Sequence, residues 1–481
     1  MQFKPAICYS ITRWPSRSNL IYFFNLEMAH VTHTEREERG FVSFYEAKAR
    51  VWRFYASHLY DMCYVSQSSQ PKISVEAVVK RCEKKTVNCE SEFYVTAKSS
   101  NAGSQLMLWK MIVPSMKMLQ WDSLKSCTQS AEPRYKPKAY SVFCLERPTT
   151  LVGMKVLPQN RDIVVLQSTQ KEIELFNCSK MRENNADLSC RRIPDCSLIG
   201  LPSAGRGLMS FNRLRPCQLL ASDVDGNICI WTIRNREEAR SVVTAETTIL
   251  ASQTMGVRDL SWHPLHISLF ATVGESRKLC IWDMRSLGEH KPALVEEVHD
   301  ATATCISFNR FNEVLINTAS EDKTIKVWDL RCMKKPFYAI RTLTGEINKM
   351  KYSNYMESVF ATSSNESVFI WDLSQIKLTD DSSPVEHEPL FVHGGHMGKV
   401  TDFSWLFCDR HYPLSMCSIS EDGPIHMWQL NSYAFLPARK VDRTDAVKQF
   451  KPVKEVQSSS AASGVKRSKA AKLQRSAAAS K

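Results

Sequence analysis

Residues 321–329 read EDKTIKVWD. A turn signal at Glu321, Asp322 and Lys323 leads into a short β-rich run that ends on Trp328 and Asp329. The same phrase returns along the chain. DGNICIW ends at Trp231, SRKLCIWD at Asp283, NESVFIWD at Asp372 and EDGPIHMW at Trp428. Upstream of each phrase lies a second β-rich run with its own aromatic: Phe211, Trp262, Phe308, Tyr352 and Trp405. The gaps to the following Trp are 20, 20, 20, 19 and 23 residues. A spacing that recurs five times is not chance, and a period of about 40–55 residues is that of propeller blades.

Two weaker copies complete the set, QLMLWK around Trp109 and KEIELFN with Phe176 in the Trp place. Seven four-stranded blades close into a ring and leave few exposed sheet edges. The predicted fold is therefore all-β, a seven-bladed WD-repeat β-propeller with an N-terminal α-helix. The helix is read over 44–62, where Phe44, Val51, Tyr55, Leu59 and Met62 recur at helical spacing beside Trp52. The expected organisation is a leader over 1–40, helix and connector over 41–75, the propeller over 76–436 and a basic tail over 437–481.

A polar network is expected in several blades: His299, Thr318 or Ser320, Asp322 and Trp328 in one, His396, Ser418 or Ser420, Asp422 and Trp428 in the last. In the Trp282 blade, Gln253 takes the His place. Recurrence once per blade makes these residues structural rather than catalytic. No phosphate loop, nucleophile motif or metal-ligand spacing occurs, so neither an enzyme nor a cofactor is expected.

The net charge of +13 is unevenly placed. Residues 437–481 hold twelve Lys/Arg against three Asp/Glu, leaving about +4 for the rest. The basicity is a tail property. Rich in Ala, Ser and Lys, the tail cannot bury a core and is expected to be disordered. It has no aromatic after Phe450, which fits charge-based contact or nuclear import better than stacking on bases. The sixteen cysteines include no CxxC pair; Cys229 and Cys280 stand two residues before a Trp and read as small buried residues. That usage fits a reducing compartment. Glycine is scarce at 16 residues, so turns must lean on Asn, Asp and Ser. The first 26 residues hold Lys4, Arg13 and Arg17 and no acid; this resembles a presequence, but a plain leader is the preferred reading. No apolar run approaches the length of a membrane span.

With these elements in view, the chain resembles the retinoblastoma-binding histone chaperones, the small WD-repeat subunits of chromatin assembly factor, as a divergent member. The resemblance is carried by VWRFYASHLYDM at 51–62, VRDLSWHPLHISLF at 257–270, SEDKTIKVWDLR at 320–331, PLFVHGGHMGKVTDFSW at 389–405 and SISEDGPIHMWQ at 418–429. It implies a nuclear scaffold that holds histones and other subunits in chromatin assembly, remodelling or deacetylase complexes. A WD-repeat adaptor in ribosome or RNA assembly is the alternative.

The resemblance also implies two sites. A side groove, lined by Trp52, Tyr55, His58, Leu59 and Met62 and by an insertion over 377–388 with Asp380, Asp381, Glu386 and Glu388, would take a helix of histone H4, alone or in the H3–H4 pair. His58 stands where the family has Phe, and the insertion is shorter than the family's. The second site is an acidic channel mouth for a basic tail. Here Thr150, Val152, Gly205, Gly207, Arg258, Thr302 and Thr304 occupy its positions, Asn348 replaces an aromatic, and Glu346 alone remains acidic. The expectation is a groove that is kept and a mouth that is dismantled.

Overall fold

A computed structural model describes residues 52, 56, 59–78, 88–99, 103–114, 138–179, 193–233, 241–250, 256–286, 291–342, 345–376, 385–406 and 414–430. Its strands form seven sheets. Blade 1 is built from β2 (Lys72–Val78), β3 (Asn88–Lys98), β4 (Ser104–Pro114) and β5 (Lys138–Arg147). Blade 2 is β6 (Leu151–Val156), β7 (Ile163–Ser168), β8 (Ile173–Asn177) and β9 (Cys196–Ile199). Blade 3 is β10 (Gly205–Phe211), β11 (Gln218–Asp223), β12 (Ile228–Thr232) and β14 (Thr247–Ile249); β13 (Ser241–Thr244) leaves it to pair in parallel with β9. Blade 4 is β15 (Val257–Trp262), β16 (Leu269–Gly274), β17 (Lys278–Asp283) and β18 (Leu294–Glu297).

Blade 5 is β19 (Ala303–Phe308), β20 (Leu315–Ser320), β21 (Thr324–Asp329) and β22 (Tyr338–Arg341), with β26 (Val385–Glu386) added in parallel at its edge. Blade 6 is β23 (Ile347–Tyr352), β24 (Val359–Ser364), β25 (Ser367–Asp372) and β27 (Phe391–His393). Blade 7 takes β28 (Val400–Trp405), β29 (Ser415–Ser420) and β30 (Ile425–Leu430) from the far end of the sequence and β1 (Tyr60–Val65) from near its start. The innermost strands touch in the order β2, β6, β10, β15, β19, β23, β28 and back to β2, so the ring is closed.

The seven sequence markers all fall in the third strand of a blade: Trp109 in β4, Phe176 in β8, Trp231 in β12, Trp282 in β17, Trp328 in β21, Trp371 in β25 and Trp428 in β30. The cause is packing. Central strands are covered on both faces by neighbouring blades, so β11, β24, β29 and β30 are buried at every position. Their polar members, such as Thr362, Ser418 and Ser420, are buried with the apolar ones, so burial in these strands does not alternate as it does at an edge. The outer strands β13 and β18 alternate between half-buried and exposed residues, as edges do. Cross-strand aromatic pairs lock the register. Phe270 lies opposite Trp282 with the rings stacked at 5.9 Å, and Phe360 opposite Trp371 at 6.4 Å.

The start of the ring differs from expectation. Sheet pairing begins at Tyr60, and Met62 lies in β1 opposite Gln429 rather than at the end of a helix. Of the helix read over 44–62, the described residues Trp52, Ala56 and Leu59 are helical and Tyr60, Asp61 and Met62 belong to β1; its other positions lie outside the described residues, as do the leader and the tail. The turns also differ. Left-handed backbone at the hairpins between second and third strands falls on Gly226, Arg277, Lys323, Asn365 and Gly423. Only Asn365 belongs to the polar turn formers expected, while Arg277 and Lys323 hold the conformation at a steric cost.

Candidate functional site

The residues that could be mistaken for a catalytic set form networks inside blades. Trp328 Nε1 donates to Thr318 Oγ1 at 2.9 Å, and Thr318 lies 2.8 Å from His299 Nε2. His299 Nδ1 is 3.0 Å from Asp322 Oδ2. A neutral imidazole with its proton on Nδ1 satisfies every partner. Burial lowers the His299 pKa and favours that neutral form. Burial alone would raise Asp322, but hydrogen bonds from His299 and Thr324 outweigh it and hold the carboxyl well below its usual range. Thr318 thus takes the central role, while Ser320 Oγ accepts from the Asp322 amide at 3.2 Å.

In blade 7 both serines are used. Ser418 joins Trp428 Nε1 at 3.1 Å and His396 Nε2 at 2.8 Å, and Ser420 bridges His396 Nδ1 to Asp422. Trp282 and Trp371 reach Thr272 and Thr362 in the same way. Gln253 lies outside the described residues. Cys229 and Cys280 are buried in strands as expected, and burial pushes the Cys280 thiol up to about 11.

Around blades 6 and 7 the chain preceding the ring is anchored by a polar relay. Trp52 Nε1 donates to the Tyr60 hydroxyl at 3.1 Å, which lies 2.7 Å from His393 Nδ1; His393 Nε2 is 3.2 Å from His426 Nδ1. The Trp52 ring sits so close to Gly395 that an added Cβ would come within 2.8 Å of it. Buried His393, His396 and His426 cluster here. His396 and His426 are stacked at 3.9 Å. Both ring nitrogens of His393 and of His396 are engaged in hydrogen bonds. The cluster is a packed network.

Leu59 and Met62, read from the sequence as seats for a partner helix, are each 1% exposed and belong to the protein's own core. Leu59 joins Phe403, Trp405 and Trp428, and Met62 joins Phe93 and Met427. Trp52 and Ala56 pack over the first cluster together with Met356 and Leu390. Glu388 is exposed two residues before Leu390. Glu386 lies in β26 at the edge of blade 5. Tyr55, His58, Asp380 and Asp381 lie outside the described residues.

The channel is the other candidate. In its wall, side chains of one blade accept from the backbone of the next. Ser210 takes the Trp262 amide at 3.0 Å, Ser307 that of Tyr352 at 3.3 Å, and Ser404 that of Ala77 at 3.1 Å. Glu76 does the same for Val156 at 3.4 Å. Three positions before the ends of their strands, Asp259 accepts from Ile306 at 2.9 Å and Asp402 from Val75 at 3.1 Å. Lys351 Nζ reaches Asp402 Oδ1 at 2.7 Å, and Lys155 stands 3.6 Å from Glu76. Burial works against the charge on Asp402, but Lys351, Lys349 and Lys155 outweigh it and lower its pKa.

At the mouth where the innermost strands begin, Glu346 is exposed and Arg258 pairs with Glu275 at 3.0 Å. Sequence alignment passed over Arg206, which lies close enough to Arg258 for the two charges to oppose one another. The reason is a bulge: β10 carries extra residues between Gly205 and Leu208. No helix among the described residues is long and apolar enough to cross a membrane.

Residues 291–329 match the WD domain, G-beta repeat family. The matched stretch covers β18 and the first three strands of blade 5, so the sequence repeat is staggered by one strand against the structural blade. One WD repeat within a ring of seven sheets supports a WD-repeat family for this chain, whose propeller is suited to hold other proteins.

Proposed function

We propose that the protein is a histone-binding scaffold subunit of chromatin assembly, remodelling or deacetylase complexes, acting in the nucleus without catalysis of its own. The observation that carries this reading is the core cluster against which Trp52, Ala56 and Leu390 all pack. The segment before the ring and the residue just after the blade 6 insertion are thus tied to one core cluster, beside which the family groove would lie. An amphipathic helix laid there finds apolar surface beside carboxylates, the pairing that helix recognition needs. Because Leu59 and Met62 point into the core, recognition falls to the outward side of that segment and to the exposed Glu388.

Calorimetry of the full chain with a histone H4 helix peptide tests the reading. Binding is expected, with Glu388→Lys weakening it several-fold and leaving the melting temperature unchanged. Absence of binding in the full chain would overturn the histone assignment. Recovery of ribosome-assembly factors alone in a nuclear pull-down would favour the adaptor alternative.

A further inference from the structure

The central cavity measures about 330 Å³ and runs from the mid-channel charge layer to the mouth where the innermost strands end. Two residues past each strand end the chain places one side chain at that mouth. The described positions are Pro158, Arg213, Pro264, Arg310 and Asn354, and all five line the cavity. None of them is acidic. Deeper in, the carboxylates are already committed. Glu76 faces Lys155, Asp402 holds Lys351, and Asp259 accepts from two backbone amides and faces Lys349.

Arg213 and Arg310 make no ion pair with the described residues. Arg213 is exposed and lines the cavity. Desolvation within the channel lowers its pKa, and the Glu76 carboxylate works in the opposite sense. A guanidinium that lines a polar cavity without an ion-pair partner among the described residues is disposed to take an oxyanion through forked hydrogen bonds. His263, on the same wall, offers no free group: its Nε2 lies 2.8 Å from the Glu313 carbonyl, and its Nδ1 accepts two backbone amides.

We propose that this mouth binds a small polyanion of the oligophosphate class, gripped by Arg213 and Arg310 above the Lys155, Lys349 and Lys351 layer. Two arginines two blades apart suit a ligand with several separated charges better than a single carboxylate, and the cavity is too small for a folded partner. The site differs in place and sign from the family's acidic mouth at the opposite end of the channel.

Calorimetry of the full chain with sodium tripolyphosphate at low ionic strength tests the proposal. Binding is expected, and the double variant Arg213→Gln/Arg310→Gln should weaken it at least about tenfold, each charge-assisted contact being strong. The double variant Arg206→Gln/Arg258→Gln, at the other mouth, should retain it. The basic tail is common to all three proteins, so the difference between them reports the mouth. Without ligand, the first variant should melt no lower than the parent, since neither arginine holds the fold. Equal affinity in parent and first variant, no binding by the parent, or a collapsed melting temperature would overturn the proposal. So would capture of a polyglutamate peptide at Arg213 and Arg310 with no affinity for tripolyphosphate.

Discussion

At the scale of single residues, what decides behaviour is whether a buried group keeps its partners. His426 is buried beside His396 and Trp52, and burial pushes its pKa down to about 4. The unfolded chain therefore takes up a proton near pH 6.5 that the folded chain refuses. Stability is full above that pH and falls as the pH drops towards 4. Between pH 7 and pH 5 the parent should lose about 2 kcal/mol more than His426→Gln, read from urea midpoints. Equal losses would remove His426 as the cause. Lys323 gives a test of opposite sign. It holds a φ of 63° that only glycine takes freely, so Lys323→Gly should stabilise by up to about 1 kcal/mol. A destabilised variant would mean that the lysine side chain repays its strain elsewhere.

At the scale of elements, the ring depends on β1. Without it, β30 would present an unpaired edge, the hazard that propeller closure removes. Tyr64 pairs with Met427 in that ladder two residues before Ser66, whose amide donates to the Ile425 carbonyl at 2.9 Å, so the Tyr64 amide faces β30 as well. Tyr64→Pro should cost about 3 kcal/mol or more by removing a ladder donor and clashing within the strand, whereas Tyr64→Phe keeps the ladder and should cost far less. Denaturant melts of the two variants check this, and equal costs would show that closure does not rest on the β1–β30 ladder. β13 and β26 serve a related purpose. Each covers an outer edge of a blade with a strand borrowed from a neighbouring blade's chain, at blades 2 and 5.

For the molecule as a whole, charge is partitioned. The propeller is nearly balanced, with ion pairs threaded through the channel, while the surplus sits in residues 437–481. Deleting 450–481 should leave the melting temperature nearly unchanged, because its composition cannot contribute a core. The same deletion should abolish nuclear accumulation of a fluorescent fusion if the tail serves import. Unaltered accumulation would assign nuclear passage to another segment or to a partner. With Arg206 and Arg258 at the strand-start mouth, a basic histone H3 tail peptide is expected to bind far more weakly than the H4 helix peptide. Tight H3-tail binding without H4 binding would reverse the two sites.

The seven blades were legible in the chain because a propeller repeats one packing environment. Every third strand needs a large side chain between two neighbouring blades, so Trp or Phe returns at a fixed interval, and the His, Ser, Thr and Asp of the polar networks return with it. Positions outside that period were decided only by tertiary structure. Helical spacing placed Leu59 and Met62 on one face but could not say whether a partner or the protein's own blade would cover it. The ring covers it, because β1 must reach β30 to close the last sheet. The bulge in β10 shifted Arg206 out of an alignment that counts residues, since spacing in sequence does not register an added residue in one strand. Arg213 and Arg310 lie 97 residues apart and share a cavity only because the circle brings blades 3 and 5 to a common axis.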